Sequence, residues 1–312
     1  MREGQNLKTP VAFLVFNRPE TTRRVFEAIR IARPCRLLVV ADGPRENHPG
    51  EAARCAEVRA IIDRIDWPCD VLKEYSEFNL GCGRRISSGL DWVFREVEEA
   101  IILEDDCLPH PDFFRFCELL LEYYREDERI MMIGGSNYLL DTLDIQESFC
   151  FSRYFSIWGW ATWRRAWAKY DFSMKGWPKL RQQNQLGSFY REPFMRKHVA
   201  SMFDKAYRGD VDTWDAQWFF TCLFNNGLSA VPRKNLVSNI GLEGTHTSRD
   251  ISNHNFPVFG IEPEVITFPD KVFPNRLYDE EFFRRKIRRT FRMKVENRMH
   301  LLLSSLKYRA GD

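Results

Sequence analysis

The sequence predicts an α/β protein built on an open, largely parallel sheet with helices on both faces. Two observations carry this prediction. Short apolar runs, typical of buried strands, alternate with longer segments of helical apolar spacing over about the first hundred residues. Each apolar run also ends in polar or turn-forming residues. Strands that alternate with helices in this way favour a parallel sheet covered on both sides.

The elements follow in order along the chain. The first strand feeds a helix in which Val25, Ala28, Ile29 and Ala32 recur at helical spacing, and the second strand ends in a turn at Asp42. The predicted strands are residues 11–16, 37–41, 71–75, 100–103 and 130–133, and the predicted helices are residues 21–32, 51–65, 83–98 and 111–125.

The composition of the chain changes after this point. Seven of the nine tryptophans lie between residues 158 and 218, so we place a boundary near residue 135 inside one continuous body. Residues 281–312 form a third segment with ten Lys or Arg and three acids, on an apolar stripe of helical spacing. Such a basic amphipathic helix either packs on the body or binds an anionic membrane surface, and both roles stay open.

Composition and charge exclude several classes of protein. An apolar fraction of 44% with 14% aromatic residues excludes a mainly disordered, collagenous or coiled-coil chain. The body is net acidic, which argues against nucleic-acid binding. The eight cysteines are dispersed without a metal-binding spacing. With no apolar window of membrane-spanning length and a polar first segment, we expect a cytoplasmic protein.

Polar residues follow three of the predicted strands where each strand ends. They are Asn17 and Arg18, Asp42, and the run Glu104, Asp105 and Asp106. Ligands of open α/β sheets bind outside the carboxyl ends of the strands. Three adjacent carboxylates repel one another unless a cation shares the site, and hard oxygen ligands suit Mg²⁺ or Mn²⁺ on a diphosphate. The alternatives that stay open are a solvated acidic turn for residues 104–106, a surface arginine for Arg18 and a turn aspartate for Asp42.

Four segments carry a resemblance to a known family. They are residues 13–19 (FLVFNRP), 39–43 (VVADG), 79–81 (NLG) and 102–108 (ILEDDCL) running into 111–114 (PDFF). These segments resemble nucleotide-sugar glycosyltransferases of the GT-A fold, which is Rossmann-like, and most closely the N-acetylglucosaminyltransferase I group and its bacterial family 2-like relatives. The likeness covers about residues 10–250.

The resemblance implies a donor site in residues 1–134 and an acceptor and catalytic half in residues 135–280. It implies that Asp106 holds Mn²⁺ or Mg²⁺, that Glu104 and Asp105 contact ribose or donor sugar, and that Arg18 and Asp42 contact the base. The implied phosphate contacts at the start of the helix are Arg84 and Arg85, together with exposed backbone N–H groups. Thr245 and His246 in a late loop are the other implied phosphate contacts, and His246 is also a candidate metal ligand. A solvated helix start is the alternative for the arginine pair.

The second half supplies the residues that would act on an acceptor. Asp215 resembles the family's catalytic base, and a carboxylate packed among indoles would have its pKa raised by desolvation. Some relatives carry a second acid where this chain has Ala216, so Asp212 is a candidate assistant. A helix-capping aspartate is the alternative for Asp215.

The tryptophan-rich segments are candidates for the acceptor cleft. Trp158 and Trp160 would share one face of an extended segment, and with Trp214 they are the candidate acceptor contacts, since aromatic rings stack on sugar rings. An aromatic core is the alternative.

These residues together favour an inverting, metal-dependent glycosyltransferase. It would move a sugar from a nucleotide-diphosphate donor, UDP-sugar favoured, to a glycan in surface polysaccharide synthesis. The basic tail would suit a lipid-linked acceptor and peripheral binding to the inner face of the cell membrane. The alternatives are a nucleotidyltransferase acting on sugar phosphates, which would normally show a Gly-rich loop after the first strand, and a non-catalytic carbohydrate-binding protein.

Overall fold

The computed structural model describes residues 6–139, 143, 145–241, 257–260 and 265–288. The strands are β1 (Val11–Val15), β2 (Arg36–Ala41), β3 (Asp70–Tyr75), β4 (Glu99–Glu104), β5 (Cys107–Pro109), β6 (Ile130–Gly134), β7 (Phe149–Ser152), β8 (Trp160–Trp163), β9 (Leu228–Pro232) and β10 (Val237–Asn239). The helices are α1 (Pro19–Ala32), α2 (Glu51–Ile62), α3 (Cys82–Glu96), α4 (Pro111–Tyr123), α5 (Arg164–Trp167), α6 (Trp177–Gln182), α7 (Leu186–Phe189), α8 (Pro193–Arg208), α9 (Asp215–Phe224) and α10 (Arg276–Phe282), which a π-helical turn (Phe283–Arg288) continues.

Eight strands form one mixed sheet in the order β3-β2-β1-β4-β8-β6-β9-β7. The first four are parallel to one another, as are β6 and β9. β8 is antiparallel to both of its neighbours, and β7 is antiparallel to β9. β5 and β10 pair separately as an antiparallel two-stranded sheet. The predicted α/β class is confirmed.

Each predicted strand and helix of the first 135 residues is present, with ends shifted by a few residues at most. β1 is apolar and buried at every position, as a strand covered on both faces must be. Pro19 starts α1, where a missing N–H costs nothing, and Arg33 ends it in a left-handed conformation (φ 48°). The strand ends therefore lie where the apolar runs stop.

The sheet separates two apolar clusters. Alternate residues of the central strands, such as Phe13 and Leu14, point to opposite faces. One cluster holds the apolar stripes of α1, α2 and α4, and the other holds those of α3, α5 and α9. The helices cover both faces of the sheet, so the loops that follow the parallel strands lie together at its carboxyl edge.

A third apolar cluster joins α6, α7, α8 and α9. Phe282, at the end of α10, stacks on Tyr154 with ring centroids 4.5 Å apart, and Ile287 in the π-helical turn also packs against this cluster. The described start of the predicted basic tail thus packs on the body, whereas residues 289–312 lie outside the described part of the chain. No helix among the described residues is long and apolar enough to span a membrane.

Candidate functional site at the carboxyl edge of the sheet

Arg18 joins two strand ends at the carboxyl edge of the sheet. β1 lies between β2 and β4, so the residues that follow these three strands are neighbours. The Arg18 guanidinium donates to Asp106 Oδ2 at 2.5 Å and lies 3.6 Å from Asp105 Oδ1. The Arg18 side chain is one-third exposed and that of Asp106 is 14% exposed, so this ion pair is partly buried at the edge. The predicted convergence of Arg18 and the acidic run is present in the structure.

Asp105 is the structural member of the acidic run. Its side chain is buried, and Oδ2 accepts a hydrogen bond from the backbone N–H of Phe16 at 3.2 Å. Burial raises the pKa of Asp105 to about 6, although the Arg18 charge acts in the opposite direction. The carboxylate therefore ties the end of β4 to the end of β1. Its predicted contact with ribose or donor sugar stays a prediction.

Glu104 ends β4 with a carboxylate that has no hydrogen-bond or ion-pair partner among the described residues. Burial, followed by the charges of Asp106 and Asp105, raises its pKa well above the ordinary value for a glutamate. A partly buried carboxyl group without a partner takes up a proton unless a positive charge or hydrogen-bond donors compensate its charge. Glu104 is therefore the member of the run best placed to receive hydroxyl groups or positive charge from a ligand.

The carboxylate oxygens at this edge are donors of the kind that Mg²⁺ and Mn²⁺ prefer. One guanidinium faces Asp105 and Asp106, and the charges of these two residues contribute to the raised pKa of Glu104. Asp106 Oδ2 is held by Arg18, and Oδ1 contacts the Cys107 thiol at 3.5 Å, a weak interaction that a metal would replace. Within the described ranges no three His, Cys, Asp or Glu side chains form a metal-binding cluster. A cation here would depend on Asp106 together with oxygens of its own ligand.

The chain that follows β10 closes over Asp106. The backbone N–H of Ile240 donates to the Asp106 carbonyl at 2.8 Å, and a Cβ on Gly241 would lie 2.4 Å from Asp106 Oδ2 and 2.8 Å from the Arg18 guanidinium. A Cβ at position 241 would displace these two side chains, so the close approach favours glycine. Thr245 and His246, a few residues further on, lie outside the described residues.

Asp42 holds a neighbouring loop. Its carboxylate is buried, and Oδ1 accepts from the backbone N–H groups of Gly43 and Leu80, both at 2.9 Å. Oδ2 accepts from the Asn79 side chain at 2.9 Å. Burial raises the pKa of Asp42, and these hydrogen bonds oppose that shift. Asp42 thus orders the segment that begins α3, and a contact with a nucleotide base stays a prediction.

The two predicted phosphate arginines have different surroundings. Arg84 is exposed, and its side chain has no hydrogen-bond partner within the described part of the chain. Arg85 is 4% exposed and pairs with the Glu74 carboxylate and the Glu74 carbonyl. The prediction that both face a phosphate is wrong for Arg85, because its guanidinium is committed to tying α3 to β3.

The start of α3 is not an open set of backbone donors. The N–H groups of Cys82 and Gly83 donate to the two oxygens of Asp212, each at 2.8 Å. These N–H groups are therefore not exposed to phosphate, and the prediction from the sequence is wrong at this point. A carboxylate from the second half of the chain occupies them instead.

Asp215 begins α9 and is half-buried. Its Oδ1 accepts from the Thr213 hydroxyl and from the Ala216 N–H. Burial raises the pKa of the nearby Cys82 thiol, and the charges of Glu104, Asp212 and Asp215 raise it further. The first turn of α3 therefore lies within electrostatic reach of carboxylates from both halves of the chain, Glu104 and Asp215 among them.

The tryptophans expected to bind an acceptor divide into two groups. Trp160 and Trp214 are 0% and 2% exposed and stack on each other with centroids 5.6 Å apart, so their assignment as acceptor contacts is wrong. Trp158 is half-buried and packs on the opposite side of the sheet from Trp160. The predicted shared face fails because Gly159 adopts φ +61° and breaks the extended segment. Trp158 stays a candidate contact.

Sequence reasoning missed Glu51. Its carboxylate is fully buried and accepts from the Asn17 side chain at 2.7 Å and from the Arg45 N–H at 2.7 Å, and it also pairs with the Arg45 guanidinium. Hydrogen bonding to Arg45 lowers the pKa of Glu51 to about 2. A glutamate in the first turn of a helix is usually exposed to solvent, where its negative charge stabilises the helix N-terminus. Nothing in the sequence therefore indicated that Glu51 is buried and joins Asn17 to Arg45.

Tyr138 and Ser156 were also missed. The Ser156 hydroxyl donates to Tyr138 Oη at 2.8 Å, and the Tyr138 ring packs edge-on against Trp158 with centroids 5.2 Å apart. Burial raises the pKa of Tyr138, and the Asp215 charge contributes to that rise. The pair therefore forms an aromatic corner with Trp158 on which the Asp215 charge acts, and no sequence motif marks it.

Comparison with known proteins adds remote likenesses. No protein-family model matches the chain, and no curated protein matches it either. Among solved structures, mouse xyloside xylosyltransferase 1 in its apo form is similar at 14% identity, over 72% of this chain and 85% of that one, with a TM-score of 0.35.

Two further solved structures are similar over smaller or comparable spans. UDP-glucose pyrophosphorylase complexed with UDP-glucose matches at 13% identity over 47% of this chain and 64% of that one, with a TM-score of 0.26. The 4-diphosphocytidyl-2C-methyl-D-erythritol synthase of Anaerococcus prevotii matches at 10% identity over 71% of this chain and 85% of that one, with a TM-score of 0.32. These scores are too low to assign a family or a function.

Proposed function

We propose that the protein is a GT-A-type, nucleotide-sugar-dependent glycosyltransferase that inverts the anomeric centre. The observation that supports this most is the meeting of two sets of carboxylates. Glu104 and Asp106 lie at the end of a parallel strand, while Asp215 starts a helix of the second half, and the charges of Glu104 and Asp215 both act on the Cys82 thiol in the first turn of α3. A sugar donor needs charge compensation on its diphosphate and a proton acceptor for the attacking hydroxyl, and this site supplies candidates for both.

The donor would bind at the carboxyl edge of the sheet. Asp106 would hold Mn²⁺ or Mg²⁺, which when bound supplies positive charge that neutralises the departing diphosphate. Arg18 already supplies one fixed positive charge to the same carboxylate, and Glu104 has an unpaired carboxylate for ribose or donor hydroxyls. We favour a UDP-sugar because it is the donor of the glycosyltransferases that the sequence resembles.

The acceptor would bind on the side of Asp215. The Asp215 carboxylate takes the proton of an acceptor hydroxyl, whose oxygen attacks the anomeric carbon from the face opposite the nucleotide. Thr213 donates to Oδ1 of Asp215, which leaves Oδ2 to accept that proton. Trp158 and Tyr138 form the half-exposed aromatic corner against which a sugar ring would pack. One displacement inverts the configuration, and no covalent intermediate is needed.

The acceptor that we propose is a glycan, including a lipid-linked one, in surface polysaccharide synthesis. A basic tail would suit an acceptor at a membrane surface, since clustered Lys and Arg bind anionic lipid. Phe282, Phe283 and Ile287 at the start of the tail pack on the body, whereas most of the tail's basic residues lie outside the described part of the chain. Membrane binding therefore stays a proposal that rests on charge alone.

Donor turnover tests the proposal without a known acceptor. Glycosyltransferases can transfer to water, so a panel of UDP-sugars is incubated with the protein and Mn²⁺, and UDP release is measured. Asp215→Asn keeps the shape but cannot take a proton, and general-base removal costs about 10²- to 10⁴-fold in rate. Asp210→Asn, five residues earlier and paired with Arg208, is the matched control.

The outcomes separate the alternatives. We expect Asp215→Asn to lose turnover while UDP still raises the melting temperature, and Asp210→Asn to behave as wild type. Asp106→Ala should remove the Mn²⁺-dependent part of the stabilisation by UDP. Pyrophosphate-dependent formation of UTP from a UDP-sugar would instead identify a nucleotidyltransferase. Near-normal turnover in Asp215→Asn, or retention of the donor's anomeric configuration in the product, would refute the mechanism.

A further inference from the structure

Asp212 makes a direct polar link between the two halves of the chain. Its two carboxylate oxygens accept one hydrogen bond each, from the N–H groups of Cys82 and Gly83, at 2.8 Å. The partners are 130 and 129 residues away in sequence. They belong to the first turn of α3, where unpaired N–H groups and the helix dipole favour a negative charge. The contact is therefore well matched in charge and geometry.

Two glycines make room for this link. Gly81 has φ +81°, and a Cβ there would lie 2.7 Å from Asp212 Oδ2. A Cβ on Gly83 would lie 2.7 Å from the Thr213 carbonyl and 2.8 Å from Asp212 Oδ1. Distances this short leave no space for a side chain, so both glycines are required by the approach of residues 212–213. The backbone of the donor half is thus shaped around the loop of the acceptor half.

The link continues without interruption to Asp215. The Thr213 hydroxyl donates to Asp215 Oδ1, and Trp214, between them, is buried in the core against Trp160. Asp212 is solvent-exposed, so packing does not hold its side chain in place. Its position is set by the two backbone hydrogen bonds and by the residues that follow it. Fixing Asp212 therefore fixes the start of α9, which carries Asp215.

We infer that Asp212 is a positioning residue, whose carboxylate clamps the Asp215 segment to the first turn of α3 and so sets where the base meets the acceptor hydroxyl. The inference rests on the proposed function. It differs from a role as second base, since both oxygens of Asp212 already accept backbone hydrogen bonds. Asp212 also does not compete with the donor phosphate for these N–H groups, because Gly81 and Gly83 closely fit residues 212–213 of this chain.

The test compares variants in the UDP-sugar hydrolysis assay with Mn²⁺. A misplacement of about 1 Å in a reacting group can cost about 10²-fold in rate. We expect Asp212→Ala to lower kcat by at least about tenfold with KM for the UDP-sugar within about twofold. Asp212→Asn retains the shape and one good acceptor oxygen, and should recover part of the loss. Asp210→Ala, which removes the same charge from the same loop, should leave both constants unchanged.

A double-mutant cycle shows whether Asp212 acts through Asp215. In the Asp215→Asn background, Asp212→Ala should have no further effect on kcat, because residues that act as one unit are not additive. Hydrogen exchange gives a measurement that needs no turnover: protection of the backbone amides of residues 82–83 should fall in Asp212→Ala and stay in Asp210→Ala.

Each contrary result has a defined meaning. Three results would each overturn the inference. They are additive losses of kcat in the double-mutant cycle, an unchanged kcat in Asp212→Ala, and a lowered KM in Asp212→Ala, which would indicate that Asp212 competes with the donor. If Asp215→Asn abolishes turnover but the Asp212 variants do not change it, the inference alone fails. If Asp215→Asn turns over normally, the proposed function fails and the inference fails with it.

Discussion

Removal of the Arg18 guanidinium is the most direct perturbation of the strand-end site. Arg18→Gln keeps a hydrogen-bonding side chain but removes the positive charge that faces Asp105 and Asp106. The variant leaves two adjacent carboxylates and the unpaired Glu104 without a fixed cation. We expect it to lower the free energy of unfolding and to increase the demand for a divalent cation at the same place.

The magnitude follows from the contact distances and the exposure. A hydrogen bond between charged groups contributes about 1.5–3 kcal/mol, and breaking a buried pair costs about 3–5 kcal/mol. The Arg18 side chain is 33% exposed, so we take the lower part of this span, about 2–3 kcal/mol. With an unfolding entropy of about 2.1 cal/mol/K per residue over 312 residues, the melting temperature should fall by about 3–5 °C.

Thermal unfolding with and without millimolar Mn²⁺ measures this effect. Mn²⁺ should restore part of the lost melting temperature in Arg18→Gln and add little to wild type, since it replaces the missing charge. Arg23→Gln is the control, because Arg23 pairs with Glu20 and Glu57 on the exposed face of α1. A loss below about 1 °C in Arg18→Gln, or an equal loss in both variants, would refute the electrostatic account of the site.

Two further predictions concern the support of this site. Glu51→Gln should destabilise the protein by about 2 kcal/mol at neutral pH. The pKa of Glu51 is lowered from 4.5 to about 2, so its contribution is present above about pH 4.5 and is lost as the pH falls toward 2; urea unfolding across this pH window should show the two proteins converging. Gly241→Ala should displace Asp106 and cost about 1–3 kcal/mol, measured by the same unfolding, whereas Gly176→Ala, with its nearest neighbour at 3.7 Å, should cost little. Equal effects of the two glycine substitutions would contradict the close packing over Asp106.

The order of strands and helices in the first half could be predicted because apolar periodicity is a local property. The run at residues 11–16 ends in a polar turn and is followed by a helical stripe, and the structure has β1 and α1 there. The meeting of Arg18 with Asp106 could be predicted for the same reason, since parallel neighbours place their ends at one edge.

The failures concern contacts that depend on tertiary packing. From the sequence, Arg85 is expected to be an exposed phosphate donor, but its side chain is buried against β3 and pairs there with the partly exposed Glu74. Trp160 and Trp214 are chemically suited to sugars, and their burial in the core is set by β8 and α9, far apart in sequence. The occupation of the α3 N–H groups by Asp212 depends on a loop about 130 residues away, which local sequence patterns do not indicate.

β8 is inserted between β4 and β6, although it is synthesised after both of them. A nascent chain that ends before residue 160 therefore has two strand edges without their shared neighbour, and the N-terminal half cannot complete its sheet on the ribosome until β8 has emerged. The same interleaving prevents recombination near residue 135 from exchanging one half for another as a module. Sequence change in such a chain is therefore expected to concentrate in the loops at the carboxyl edge, with the strand order retained.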